Sequence, residues 1–149
     1  MPAILIVAHM PLASSLKAVA QHVYPDCSRH LGVVDVMPGA SLDSVEAQVR
    51  QALSDLNATD VLVLTDVFGA TPCNAAMAAS DGQRSRVVAG VNVPMLWRTL
   101  CYADLPLEEL VTRAVAGATQ GVMQVSAPRR QNQAPIAASH DQNTQAHQQ

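Results

Sequence analysis

Two side chains with complementary chemistry stand directly after apolar, strand-like runs. His9 follows Ala3-Ile-Leu-Ile-Val-Ala8, and Asp66 follows Val61-Leu-Val-Leu-Thr65. A carboxylate that accepts the proton of one imidazole nitrogen fixes the tautomer and leaves a lone pair on the other nitrogen. That nitrogen can remove a proton, bind a metal or attack phosphorus. Three features favour phosphorus. The turn Phe68, Gly69, Ala70, Thr71 leads into a helix opened by Pro72, and the amides of a helix start favour anions. Thr71 adds a hydroxyl at the same place. No second His or acidic cluster stands where it would complete a zinc site, so neither metal nor cofactor is expected.

This chemistry requires His9 and Asp66 to meet, which depends on the elements that carry them. Two further apolar runs, Leu31-Gly-Val-Val-Asp-Val36 and Arg86-Val-Val-Ala-Gly-Val91, complete a set of four strands. Nearly continuous, β-branched runs suit strands covered on both faces, as in a parallel sheet. Between them lie helical patterns. Leu12, Leu16, Val19, Ala20 and Val23 share one face, and Leu42, Val45, Val49, Ala52, Leu53 and Leu56 another, with Ser41 as cap. Pro72, Pro94 and Pro106 open three more helices, and the last is expected to turn Leu107, Leu110, Val111, Ala114, Ala118 and Val122 inward.

The order β-α-β-α-β-α-β-α-α predicts an α/β fold: an open, doubly wound sheet of four parallel strands with helices on both faces. Ligands of such sheets bind outside the carboxyl ends of the strands. All four strands then end on one rim, where Met10, Pro38, Asn92, Pro94 and Met95 are expected to border His9 and Asp66. Trp97, early in the fourth helix, reads as a packing anchor, and His22 and His30 as solvated or structural residues.

Composition narrows the class. Hydrophobic residues make up 49% of the 149, but there are only one Phe, one Trp and two Tyr, so the core must be aliphatic. A net charge of −3 with scattered basic residues argues against a nucleic-acid platform. Cys27, Cys73 and Cys101 lack any CxxC spacing and fit buried thiols in a reducing compartment. No apolar run approaches the roughly 18 residues of a membrane span, and the first residues lack the basic flank of a signal peptide; a cytoplasmic location is expected. From residue 127 to 149 the chain is Gln, Ala, Asn, Ser and His with few large apolar residues. It reads as a polar, disordered tail after a domain at 1–126. His140 and His147 fall within that tail.

The motifs resemble those of a known family. Ile6-Val-Ala-His9, Asp66 followed by Phe68-Gly-Ala-Thr-Pro-Cys-Asn-Ala-Ala76, and Val88-Ala-Gly-Val-Asn-Val-Pro-Met-Leu96 are similar to the EIIA component of the mannose-type (mannose/fructose/sorbose) phosphotransferase system. The resemblance covers about Ala3 to Val125. It implies that the carrier protein HPr phosphorylates His9, which passes the group to an EIIB protein in phosphoenolpyruvate-dependent sugar uptake or its regulation. It also implies that Asp66 hydrogen-bonds the ring and that the turn at Ala70 and Thr71 contacts the phosphate. A homodimer is implied too, with residues near Val122 to Ser126 forming a fifth, antiparallel strand on the neighbouring sheet. No EIIB domain follows in this sequence, so the acceptor is expected to be a separate protein, and a membrane is involved only indirectly, through a permease complex.

The sequence departs from the family pattern at Met10, where many members carry Gly, and at Val67 and Ala70, which replace a hydroxyl residue and a second Gly. A Gly-to-Ala change at 70 leaves phosphate approach intact provided the position does not need positive φ. Other readings stay open: a regulatory phosphoacceptor without transport, a carrier feeding a dihydroxyacetone kinase, a hydrolase with His9 as general base, or a module that senses a small molecule at the same rim.

Overall fold

Runs of Ile, Leu and Val without polar interruption need cover on both faces, and the computed structural model places them there. It describes residues 1–126; the tail expected at 127–149, with His140 and His147, lies outside the described residues. The elements are β1 (Ala3–His9), α1 (Leu12–Val23), β2 (Leu31–Val36), α2 (Leu42–Leu56), β3 (Val61–Thr65), α3 (Thr71–Ala79), β4 (Ser85–Ala89), α4 (Val93–Cys101) and α5 (Leu107–Gln120). The strands form one sheet in the order β2-β1-β3-β4, every neighbouring pair parallel. The expected fold class is the one observed.

Alternation along the strands divides the core in two. Ile4, Ile6, Ala8, Leu62, Leu64 and Val88 pack against α1, α4 and α5 through Leu16, Leu96, Leu100 and Leu110. Leu5, Val7, Val34, Val36 and Val63 pack against α2 and α3 through Val45, Val49, Ala75 and Ala76. Right-handed crossovers account for this split. The chain leaves β1 toward β2 over one face, then reverses and crosses to β3 and β4 over the other.

Local chemistry sets the helix boundaries. The Ser41 hydroxyl accepts the Ser44 N–H at 3.2 Å and caps α2. Asn92 caps α4 by accepting the Met95 N–H at 2.9 Å. Trp97 anchors α4 edge-to-face on Tyr24, with ring centroids 5.4 Å apart.

Four expectations need correction. The inner face of α1 is Ala13, Leu16 and Ala20, while Leu12, Val19 and Val23 are exposed; small residues let the helix lie close to the sheet. Strand β4 stops at Ala89 because Gly90 takes φ +89. Its N–H donates to the Asp66 carbonyl, and that of Val91 to the Thr65 carbonyl. Val122 is exposed beyond the end of α5, which closes at Gln120. Of the three cysteines only Cys73 is buried; Cys27 and Cys101 are exposed.

Candidate functional site

Strand order decides who meets whom. Strand β1 lies between β2 and β3, and the register pairs Val7 with Thr65, so His9 and Asp66 leave adjacent strands at the same rim. This is the point where the winding reverses, the place open α/β sheets use for ligands.

His9 and Asp66 touch twice. The His9 backbone N–H donates to Asp66 Oδ2 at 2.9 Å, and His9 Nδ1 lies 2.6 Å from the same oxygen. The Val67 N–H donates to Oδ1 at 2.9 Å. Burial pushes the Asp66 carboxyl pKa up. The backbone N–H and ring of His9, together with the Val67 N–H, outweigh it and hold the group below the ordinary carboxylate range. An ionised carboxylate only accepts, so Nδ1 carries the proton and Nε2 carries the lone pair. The exposures differ to match: the Asp66 side chain is 13% exposed and the His9 side chain 54%. The carboxylate is sheltered and the imidazole is exposed at the rim.

The turn after Asp66 lies at the same rim. Gly69 has φ +86, which favours glycine, whereas Ala70 has φ −96 and ψ 168. The condition attached to Ala70 is therefore met. Ala70 is the N-cap of α3 and no side chain caps that helix, whose first turn holds Thr71 and Pro72. The Asn74 side chain donates to the Gly69 carbonyl at 3.4 Å and braces the turn. Phe68 is 76% exposed.

Met10 and Pro38 are exposed at the rim, beside exposed Met37 and Val67. Asn92 is half-buried and engaged at both ends, since its amide nitrogen also donates to the Ala118 carbonyl at 3.3 Å. Pro94 opens α4 and is half-buried. Met95 belongs to the core, 1% exposed, and does not border the site. His22 and His30 are exposed. Among the described residues no group of three or more His, Cys, Asp or Glu is placed to hold a metal ion, and no helix is long and apolar enough to cross a membrane.

Sequence reasoning missed Asp35. Pro11, the N-cap of α1, offers no side-chain cap, and Asp35 at the end of β2 replaces it by accepting the Ser14 N–H at 3.1 Å. The neighbouring Val36 carbonyl accepts the Met10 N–H at 3.0 Å. The end of β2 thus grips the segment that follows His9 from both sides. A proline where a cap belongs, with an acid at the adjacent strand end, was the available signal.

A family model for EIIA-man, the fructose IIA component of the PTS system, matches residues 3–115. The chain belongs to this family. The mannose-specific EIIAB component of the Escherichia coli PTS is 33% identical to this mannose-type EIIA chain over 141 residues, 92% of the chain. The match covers 43% of that relative, so the chain spans less than half its length. The Bacillus subtilis PTS fructose-specific EIIA component is 30% identical over 123 residues, 80% of this chain and 84% of that one. Among solved structures, the mannose/sorbose-specific IIA subunit of the phosphotransferase system from Enterococcus faecalis superimposes with a TM-score of 0.79. That match is at 24% identity and covers 87% of this EIIA chain and 98% of the other, a likeness of fold.

Proposed function

We propose that this EIIA chain is a phosphocarrier that takes a phosphoryl group from phospho-HPr onto His9 Nε2 and passes it to an EIIB protein. The observation that carries the reading is the 2.6 Å contact between His9 Nδ1 and Asp66, on an imidazole that is 54% exposed. In the step, the N–P bond on the donor histidine breaks as the Nε2–P bond forms. The proton stays on Nδ1, hydrogen-bonded to the Asp66 carboxylate, and the donor nitrogen regains its lone pair. Exchange between two ring nitrogens is nearly balanced in energy, so the chain's task is positioning and charge stabilisation. Asp66 balances the ring as it becomes cationic. Gly69, Ala70 and Thr71 supply the uncapped helix start and a hydroxyl to the phosphoryl oxygens.

Incubation with phosphoenolpyruvate, enzyme I and HPr, followed by intact mass measurement, tests the reading. The wild type should gain one acid-labile phosphate and His9→Ala none. Equal labelling of His9→Ala would overturn the assignment. Adding an EIIB protein should discharge the labelled chain.

The cytoplasmic location and a homodimer belong to the same reading. Val122, Met123 and Val125 are all exposed, at 73%, 69% and 86%, in a segment without strand pairing among the described residues. Such an apolar edge suits pairing with a second copy. Sedimentation velocity showing a monomer at working concentrations would remove the dimer from the proposal.

A further inference from the structure

Between α4 and α5 lies a cavity of about 650 Å³, and neither His9 nor Asp66 lines it. Its volume falls in the range of small-molecule sites. Two aromatic side chains, Trp97 and Tyr102, form part of its wall, with Arg98 and Gln120 as the polar groups. Gly117 and Gly121 let α5 approach α4 closely along its edge. A Cβ on Gly117 would stand 2.6 Å from the Arg98 Cβ, so the Arg98 stem rests directly on the helix.

Charge then selects the ligand. Among the described residues the Arg98 guanidinium donates only to the Gln120 amide oxygen, at a long 3.3 Å. Arg113 stacks on the outer wall, its Cζ 4.3 Å from the Tyr102 ring centroid. Among the described residues no carboxylate lies within ion-pair distance of either arginine. Arg98 thus lines the aromatic-walled space and Arg113 backs its Tyr102 ring, neither with a carboxylate partner among the described residues.

We propose that this cavity binds a small organic anion with a flat apolar body, its ring against Trp97 and Tyr102 and its anionic group on the Arg98 guanidinium. A guanidinium presents paired donors that match a carboxylate, and the aromatic faces match a ring. The site lies apart from His9 and Asp66, and its test does not involve phosphoryl transfer.

Trp97 is the only tryptophan in the chain and lines this cavity, so no other indole contributes to the emission change on binding. The full chain is titrated with benzoate and with neutral benzyl alcohol. Saturable quenching by benzoate is expected, with binding at least about tenfold weaker for the alcohol. Arg98→Gln keeps the stem on Gly117 and should remove the preference for the anion while the thermal midpoint holds. Absence of saturable quenching, equal affinity for acid and alcohol, or unchanged binding in Arg98→Gln at an unchanged midpoint would each overturn the proposal. Trp97 emission that shifts with protein concentration in the absence of ligand would overturn it too, by showing that a second copy covers the cavity.

Discussion

His9 and Asp66, 57 residues apart in the chain, share one carboxylate oxygen between the backbone N–H and the ring of the histidine. The strand that presents the imidazole therefore also fixes the group that orients it. Asp66→Asn removes the charge from a site of nearly the same shape. It should slow phosphoryl acceptance by at least about tenfold while His9 remains the labelled residue, because general-base and charge-stabilising groups contribute on that scale or more. Rapid-quench labelling with phospho-HPr measures it; a wild-type rate would show that the carboxylate plays no part.

The same carboxylate links stability to pH. Its folded pKa is depressed, so its contribution is fully present above the unfolded value of about 3.9 and disappears as pH falls through the folded value. Urea midpoints of wild type and Asp66→Asn should differ by a constant amount near neutrality. Below about pH 4 the gap should close. A gap that widens on acidification would contradict the hydrogen-bond pattern seen here.

Asp81 gives a second, independent titration. The N–H groups of Ser85, Gln83 and Arg84 converge on its Oδ1 and lower its pKa to about 2. Its contribution to stability should therefore persist to lower pH than that of an ordinary surface acid, falling away only as pH drops through about 2. Carboxyl chemical shifts followed by NMR through acid would show Asp81 titrating after the free surface carboxylates.

Gly69 and Ala70 are neighbours with opposite demands. With φ +86 at residue 69, Gly69→Ala should destabilise the chain by about 1–2 kcal/mol, although no atom stands within 4 Å of the added Cβ. Ala70→Gly, at φ −96, should leave phosphoryl acceptance nearly unchanged. Chemical denaturation distinguishes backbone strain from steric conflict, since only the former is present here.

Thr65 is fully buried at the end of β3, and its hydroxyl has no partner among the described residues. An orphaned hydroxyl costs about 1–3 kcal/mol. Thr65→Val keeps the shape and should raise stability by about 1 kcal/mol. A loss of stability would reveal a hydrogen bond that this arrangement does not contain.

Much of this was legible in the chain. Parallel strands bring all their carboxyl ends to one rim, so polar residues directly after apolar runs identify the site whatever the strand order. The adjacency of β1 and β3, which turns a shared rim into a 2.6 Å contact, was not written in any local pattern. Periodicity also misplaced the buried face of α1, because Leu12, Val19 and Val23 are apolar yet exposed while Ala13 and Ala20 make the close approach. Met95 follows β4 by a few positions, which by sequence places it at the rim; the helix started by Asn92 rotates it into the core. Asp35 escaped notice because its role as a cap reaches across from another strand.

Strand β1 hydrogen-bonds to a neighbour on either side, and both of its faces are covered. Such strands are the last to open in native-state hydrogen exchange. The imidazole is thus mounted on one of the two central strands of the sheet. On the proposed reading, a phosphoryl group held by His9 would ride on a strand that keeps the ring's aim while donor and acceptor proteins come and go.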